Sequence, residues 1–275
     1  MSARAAERLS IDGSLLRALE RSELRLHYQP RINLTTGAVL GVEALVRWDH
    51  PERGLISPAE FLPIAEQSGL IIPIGQWVLG EACRQSVRWR VAGLGRVTVA
   101  VNVSCVEFRN PGYLQGIATM LADSRLDGRL LELELNESVL ALDAEVTGAA
   151  LRGLRGLGVG LTLDDFGTGS SSLSNLRRYP ISTLKIDRSF VRELSSNAED
   201  RTLVETIIGM GRSLGQTVIA EGIETNDQLD VLRGLGCNEG QGFHFCRPLP
   251  ADDFATYLAA SQRRSSLRGT VAAVQ

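Results

Sequence analysis

Two adjacent aspartates, Asp164 and Asp165, follow an apolar run and precede a loop rich in glycine and serine, in the stretch LTLDDFGTGSSSL. Neighbouring carboxylates repel each other, and burying them without a partner is costly. A divalent cation would turn this repulsion into coordination, and Gly167 and Gly169 would let the backbone approach a ligand closely. The same stretch could instead cap the next helix, with Ser and Thr hydroxyls satisfying its free amides. By itself it leaves a metal site and a helix cap both open.

Other polar residues stand at or near the ends of strand-like runs, where they could join the two aspartates. Carboxylates and amide oxygens are hard ligands, which select Mg²⁺ or Mn²⁺ over Zn²⁺. Two such cations would neutralise the acids and clamp the attacking and leaving oxygens of a phosphoryl transfer. A lysine among them could orient water or stabilise developing charge. The residues in question are Gln29, Glu43, Arg47, Asn102, Glu134, Glu137, Lys185, Glu221, Glu224 and Gln241.

Each of these residues also has an ordinary structural interpretation. Lys185 could pair with Asp187, Arg47 could cap a loop carboxylate, and Glu43 could be a solvent-facing strand end. Glu137 lies beyond its strand, so we expect it to anchor the 164–169 loop rather than to bind a metal. The metal-site hypothesis therefore depends on a fold that brings these residues together.

The elements that would position them alternate along the chain. Strand-like runs lie near 24–29, 39–46, 97–104, 130–135, 160–165, 182–187, 216–221 and 237–242. Helical patterns lie at 58–92 in two pieces, 111–123, 143–157, about 171–178, 199–214, 225–234 and 251–261. This alternation predicts an α/β protein with a (β/α)8 TIM-like barrel, whose strand ends form one rim. Only NLTTGA joins the first two runs, too short for a parallel crossover, so we expect an antiparallel first strand.

Strand parity agrees with a polar lumen. In VTVAVNVS the valines alternate with Thr98, Ala100, Asn102 and Ser104, and in LLELEL the leucines alternate with glutamates. A surface strand would alternate in the same way. Helices outside a barrel would, however, force the polar faces inward.

Composition limits the other possibilities. The chain has 275 residues, 44% hydrophobic and 22% charged, which suits one large domain or two small ones. A net charge of −3 without a long basic run argues against a nucleic-acid duplex as partner. No apolar run approaches the roughly 20 residues of a membrane span, and the N-terminus lacks a signal-like apolar core. With four scattered cysteines and no C-x-x-C spacing, we expect a cytoplasmic protein.

Three segments are expected. Residues 1–22 form a polar lead-in or linker, helical from about residue 12 to 21, which could connect to a domain absent from this sequence. Residues 23–260 form the barrel domain. Residues 261–275 are polar and then small, so we expect a flexible tail.

Eight short motifs in order resemble the EAL-domain family, the cyclic-di-GMP phosphodiesterases, over roughly residues 23–260. They are YQP at 28–30, EALVRW at 43–48, NVS at 102–104, ELNES at 134–138, DDFGTG at 164–169, LKID at 184–187, AEGIET at 220–225 and QGF at 241–243. One such tripeptide has no value as a signal, but the ordered set is specific. The family fold, a (β/α)8 barrel with an antiparallel first strand, agrees with the one predicted above.

The resemblance implies a phosphoric diester hydrolase. It would cleave one phosphodiester of cyclic di-GMP to give linear pGpG, lowering second-messenger levels in bacterial signalling. One Mg²⁺ or Mn²⁺ ion would be held by Glu43, Asn102, Glu134 and Asp164. A second ion would be held by Asp165 and shared with Asp164.

The resemblance also implies roles for the remaining residues. Lys185 would position the water nucleophile, and Glu221 would act as general base or indirect metal ligand. Glu137 would hold the loop that in family members links the metal site to a dimer interface, so a homodimer is expected. Substrate contacts would come from Gln29, Leu45 and Arg47, with Gln241 near the metal-bound water.

Small departures from the family pattern leave every ligand in place. Arg31 stands where an aliphatic residue is more usual, and Asn136 where Thr is common. Ser170 replaces an aromatic residue, which could loosen the loop and lower activity.

Two other functions remain possible. One is a cyclic-di-GMP receptor that is catalytically weak or inactive, although such domains generally lose a ligand or the lysine. The other is a different metal-dependent phosphoester hydrolase on the same barrel. No GGDEF-type or sensory motif occurs in these residues, so the domain either stands alone or is fused to such a domain in a longer protein.

Overall fold

Eight strands close into a barrel in the computed structural model, which describes residues 13–167 and 173–272. The strands are β1 (Leu24–Asn33), β2 (Val39–His50), β3 (Gly54–Ile56), β4 (Thr98–Val103), β5 (Leu131–Asn136), β6 (Gly160–Phe166), β7 (Thr183–Ile186), β8 (Thr217–Ala220), β9 (Glu239–Gly240) and β10 (Leu249–Pro250). Strand β1 is antiparallel to β2 and β9, and the pairs from β2–β4 to β8–β9 are parallel. Short strands β3 and β10 extend the sheet outside the barrel. The predicted (β/α)8 barrel with an antiparallel first strand is confirmed.

Helices cover the outside of the barrel. They are α1 (13–20), α2 (Pro58–Ser68), α3 (Ile71–Val91), α4 (Cys105–Phe108), α5 (Tyr113–Ser124), α6 (Glu137–Leu140), α7 (Ala144–Gly156), α8 (Leu173–Arg178), α9 (Arg188–Arg192), α10 (Ala198–Leu214), α11 (Asn226–Gly234) and α12 (Ala251–Ala272). Helices α2, α4 and α11 begin with capping boxes, in which a Ser or Thr and a Glu or Gln satisfy each other's backbone amides. Within the part of the chain that the structure describes, no helix combines the length and apolar character needed to cross a bilayer.

The strand faces divide as the alternation predicts. On β4, Val99, Val101 and Val103 are buried towards the core, and the leucines of β5 are buried in the same way. The charged residues between those leucines, Glu132 and Glu134, are also buried. Since helices occupy the outside, these acids lie in the lumen.

Helical structure extends into the C-terminal segment. Helix α12 continues through residues 261–272, where the sequence predicts a flexible tail. Ser261 is buried, and Gln262 donates from Nε2 to the Leu94 carbonyl at 2.8 Å. Ser261 and Gln262, which follow the predicted end of the domain at residue 260, thus still contact the rest of the domain. Residues 1–12, 273–275 and the loop position Ser170 lie outside the described residues, and the other segment boundaries stay predictions.

Candidate active site

Lys185 on β7 lies in the middle of the lumen and is 1% exposed. Its Nζ is 2.6 Å from Glu221, 2.8 Å from Glu134, 3.3 Å from Asp164 and 3.5 Å from Glu43. Burial opposes its charge, but the surrounding carboxylates outweigh burial and raise the pKa of Lys185 well above its usual value. The side chain is therefore an ammonium ion shared by four acids.

Glu43 on β2 is held by two amides as well as by this ammonium. Asn102 donates from Nδ2 to Glu43 Oε1 at 2.6 Å, and Gln241 donates from Nε2 to Glu43 Oε2. Gln241 also reaches Glu221 Oε1 at 3.3 Å. Burial alone would raise the pKa of Glu43. The ammonium of Lys185 and these hydrogen bonds together outweigh burial, so the pKa of Glu43 lies below its usual value. For Glu134, burial and the charge of Glu43 raise the pKa well above its usual value.

The two adjacent aspartates reach the same site because the strand is irregular there. The register between β6 and β7 shifts after Leu163, and Asp165 has a left-handed φ of 53°. Consecutive side chains of a regular strand would point to opposite faces. One oxygen each from Asp164, Asp165 and Glu221 lie within 4.8 Å of one another. Burial and the charge of Asp164 raise the pKa of Asp165 to about 6, and burial raises that of Glu221 to about 8.

Asp187 is not the ion-pair partner of Lys185 that the sequence suggests. The acids around Lys185 are those described above, and Asp187 instead hydrogen-bonds Asp165. It also accepts the Ser189 amide at 2.9 Å, which caps α9. Sequence reasoning missed this support for Asp165, although Asp187 lies two residues from Lys185 and shares its parity.

The expected substrate contacts lie around this cluster. Gln29 is opposite Glu43 in the β1–β2 pair and donates from Nε2 to the Cys246 carbonyl at 3.1 Å. Leu45 lines a cavity of about 270 Å³ whose lining includes Asn102, Glu134, Asp164 and Asp165. Arg47 is half-buried, and its Nη1 donates to the Val46 carbonyl at 2.8 Å. Burial lowers the pKa of Arg47.

Glu137 is the first residue of α6, just beyond the end of β5. Its Oε1 accepts the amide of Gly167 at 3.1 Å. Gly167 is the last described residue before the 168–172 segment. This contact agrees with an anchoring role for Glu137, but the role itself and the connection to a dimer stay predictions.

The donor set fits divalent cations. It consists of the carboxylates Glu43, Glu134, Asp164, Asp165 and Glu221 with the amide of Asn102, against the single ammonium of Lys185. The raised pKa values of three of these acids reflect burial together with an excess of negative charge. Hard divalent cations bind to oxygen ligands alone, and they would supply the missing positive charge.

The structure is thus a (β/α)8 barrel with an antiparallel first strand and a cluster of carboxylates around a buried lysine. The chain belongs to the EAL-domain family, because the model of the EAL domain matches residues 12–248.

Among curated relatives, the chain is 45% identical over 259 residues to the bifunctional diguanylate cyclase/cyclic di-GMP phosphodiesterase MucR of Pseudomonas aeruginosa, covering 94% of this chain and 38% of MucR. It is 40% identical over 246 residues to another cyclic di-GMP phosphodiesterase of the same organism, covering 89% and 42%. The chain thus spans about two fifths of these relatives.

Solved structures are similar as well. The MucR phosphodiesterase in complex with c-di-GMP matches with a TM-score of 0.86 at 45% identity, covering 89% of this chain and 99% of that one. The EAL enzyme Bd1971, bound to cAMP and cyclic di-GMP, matches with a TM-score of 0.88 at 32% identity, covering 94% and 70%.

Proposed function

We propose that this chain hydrolyses one phosphodiester bond of cyclic di-GMP to give linear pGpG, using Mg²⁺ or Mn²⁺. The observation that carries this proposal is the cluster of four carboxylates around Lys185 in the lumen, with the Asn102 amide hydrogen-bonded to one of them. Its 45% identity to MucR, a named cyclic di-GMP phosphodiesterase, supports the same substrate.

We assign two cation positions. Glu43, Asn102, Glu134 and Asp164 would hold the first ion, and Asp165 together with Asp164 would hold the second. The proximity of Asp165 to Asp164 supports this sharing. When bound, the cations would neutralise the acids and the scissile phosphate, which favours attack by water.

The chain's own residues would orient the reactants. Lys185 is a buried donor and would hold the water in line with the phosphorus atom. Glu221, 2.6 Å from Lys185, would take the proton released by that water. The water oxygen bonds to phosphorus, the P–O3′ bond breaks, and the departing O3′ takes a proton, which leaves a 5′-phosphate on pGpG. Gln241 would keep Glu43 and Glu221 in place through its amide.

Gln29, Leu45 and Arg47 would contact the nucleotide. The lining of the cavity by Leu45 supports an apolar contact. The guanidinium of Arg47 would bind a phosphate, because arginine forms paired hydrogen bonds with phosphate oxygens.

We further propose that the chain acts in the cytoplasm as a homodimer within a longer protein that carries a sensory or GGDEF-type domain. The greater length of its relatives supports the longer protein. Light scattering of the chain with and without cyclic di-GMP tests the dimer, and a monomer under both conditions would contradict it.

The test compares the wild type with Glu43→Gln, Lys185→Met and the control Glu81→Gln. Glu81 pairs with Arg84 and Arg88 on the outer helix α3. With Mg²⁺ or Mn²⁺, we expect pGpG from the wild type and the control, and a loss of about 100-fold or more from the two site variants. Calorimetry should show that all four proteins still bind cyclic di-GMP.

The wild-type result decides between the candidate functions. Tight binding without pGpG would refute the enzyme and support the receptor. Cleavage of generic phosphoesters but not of cyclic di-GMP would support the other hydrolase.

A further inference from the structure

A second group of charged side chains lies in the lumen beneath the active-site acids. Arg31 on β1 donates from Nη1 to both carboxylate oxygens of Glu132 on β5, at 2.9 and 3.0 Å. Its Nε is 2.9 Å from Glu239 on β9. Glu132 also accepts the hydroxyl of Thr162 on β6. We call Arg31, Glu132, Thr162 and Glu239 the Arg31 cluster.

Each member of the Arg31 cluster lies two residues along the chain from an active-site residue, within one strand in three cases and just beyond the end of β9 for Gln241. Side chains two residues apart point to the same face and are about 7 Å apart along the strand. The charge of Glu134 is also among the influences on Arg31. The four couples are Gln29 with Arg31, Glu132 with Glu134, Thr162 with Asp164, and Glu239 with Gln241.

The lumen has room for this cluster because two strand positions are glycine. A Cβ at Gly41 would lie 3.3 Å from Arg31 Nη2 and 3.0 Å from the Thr98 carbonyl oxygen. A Cβ at Gly160 would lie 3.2 Å from Glu132 Cγ. Gly41 precedes Glu43 by two residues, so the space for the guanidinium lies below that acid as well. The cluster is closely packed, and a displaced member would disturb its neighbours.

Backbone pairing connects β1 with β9 and β5 with β6, but among the described residues it does not join β1 or β9 to β5. In the barrel, β1 pairs with β2, β9 and β10, whereas β5 pairs with β4 and β6. The guanidinium of Arg31 therefore links β1 and β9 directly to β5 across the lumen. The Thr162 hydroxyl adds a side-chain hydrogen bond between β6 and Glu132 of β5, two strands whose backbones are already paired.

We propose that Arg31 is a positioning residue for the active site. By joining strands across the lumen, it fixes the relative heights of the strands that carry Gln29, Glu134, Asp164 and Gln241. Metal ligands must be held within about 0.5 Å of their working positions, so a small slip between these strands would weaken cation binding. The catalytic part of this proposal rests on the proposed function, whereas the cation-binding part does not require turnover.

A purely structural role for Arg31 would have different consequences. The guanidinium could serve only to neutralise Glu132 and Glu239, which would otherwise be buried without a counter-charge. Its loss would then lower the melting temperature and leave cation affinity unchanged in the folded protein. Cation affinity therefore separates the two roles.

The test uses changes that keep the net charge of the lumen constant. Arg31→Lys keeps the positive charge and loses the planar guanidinium that contacts both Glu132 and Glu239. The double variant Arg31→Met/Glu132→Gln removes one charge of each sign. Thr162→Val removes only the hydroxyl that links Glu132 to β6. As a control, Ser86→Ala removes a buried 2.9 Å hydrogen bond to the Val97 carbonyl outside the lumen.

The measurements are Mn²⁺ affinity by calorimetry, melting temperature, and kcat and KM for cyclic di-GMP. We expect the Arg31 and Thr162 variants to lose about 10-fold in Mn²⁺ affinity, with a matching fall in kcat at a fixed Mn²⁺ concentration near the wild-type Kd. Ser86→Ala should lower only the melting temperature. If the Arg31 variants do not fold, Thr162→Val decides the question by the same affinity criterion.

Mn²⁺ affinities within twofold of the wild type in the folded variants would overturn the proposal, whatever their melting temperatures. So would a wild type that binds no Mn²⁺. If the wild type binds Mn²⁺ but does not cleave cyclic di-GMP, the proposed function fails while the affinities still decide the role of Arg31.

Discussion

Glu107 offers a direct test of the electrostatics of the barrel wall. It lies in α4, just after β4, and is 5% exposed. Its Oε2 accepts the Ser104 amide at 2.9 Å and the Ser104 hydroxyl at 2.6 Å. The rest of the carboxyl packs against Gly75 of α3, where a Cβ would collide with it. Burial raises the pKa of Glu107 from 4.5 to about 7, although the Ser104 hydrogen bonds oppose the shift.

The sign of the effect on stability follows from this shift. Because the folded chain holds the Glu107 proton more tightly than the unfolded chain, this contribution is fully present below pH 4.5 and is lost as the pH rises to about 7. At about 1.4 kcal/mol per unit, the full loss is about 3 kcal/mol. Glu107→Gln keeps an acceptor for Ser104 and cannot ionise. The variant should therefore be more stable than the wild type by about 3 kcal/mol at pH 8 and by about 1 kcal/mol at pH 5.

Urea unfolding at pH 5 and pH 8, followed by circular dichroism with EDTA present, measures this difference. Glu205→Gln, on the exposed side of α10, is the matched control and should change stability equally at both pH values. The reasoning would be refuted if the gap between wild type and Glu107→Gln were the same at both pH values. A variant less stable than the wild type at pH 8 would refute it as well.

Three further predictions concern the active site. Lys185→Met leaves buried acids without their ammonium, so the free energy of unfolding of the metal-free variant should fall by about 3–5 kcal/mol, and its melting temperature by about 10 °C. Mn²⁺ should restore most of this loss. Equal melting temperatures of the variant and the wild type in EDTA would contradict the prediction. Asp165→Asn should weaken one of two Mn²⁺ binding events in calorimetry, whereas Asp164→Asn should weaken both; identical losses would argue against a shared ligand. Glu137→Ala removes the acceptor of the Gly167 amide and should lower kcat about 10-fold with Mn²⁺ affinity within twofold of the wild type; an unchanged kcat would remove its anchoring role.

The sequence predicts the barrel because its signals are local. Strand and helix patterns alternate, and the short NLTTGA connection forces the first strand to be antiparallel. The one-turn helices α4, α6 and α9 escape prediction because four or five residues are too few to show a helical period. The tail predicted after residue 260 depends on the polarity of the sequence there. Polarity does not reveal the hydrogen bond that Gln262 donates to the Leu94 carbonyl.

Within the site, the rim residues can be predicted from strand ends, but their partners cannot. Lys185 and Glu43 are 142 residues apart, and the chain offers the nearer Asp187 as an equally plausible partner for the lysine. The left-handed backbone at Asp165 leaves no signal in the residue type, since aspartate tolerates but does not require it. Arg31 stands out in sequence only as a departure from the family pattern. Its partners come from strands that are distant along the chain.

Arg31 and Lys185 both supply positive charge inside the barrel, and the two side chains differ in a way that matches their surroundings. Arg31 faces two acids: its Nη1 donates to both carboxylate oxygens of Glu132, and its Nε lies 2.9 Å from Glu239, so one planar guanidinium holds both acids at once. Lys185 faces four acids as a compact point charge on a flexible stem, and it cannot neutralise them alone. The acids around Lys185 therefore keep an excess of negative charge that a divalent cation can neutralise. In the Arg31 cluster, the positive and negative charges are closer to equal. The difference between arginine and lysine thus separates the fixed part of the lumen from the part that is ready to bind a ligand.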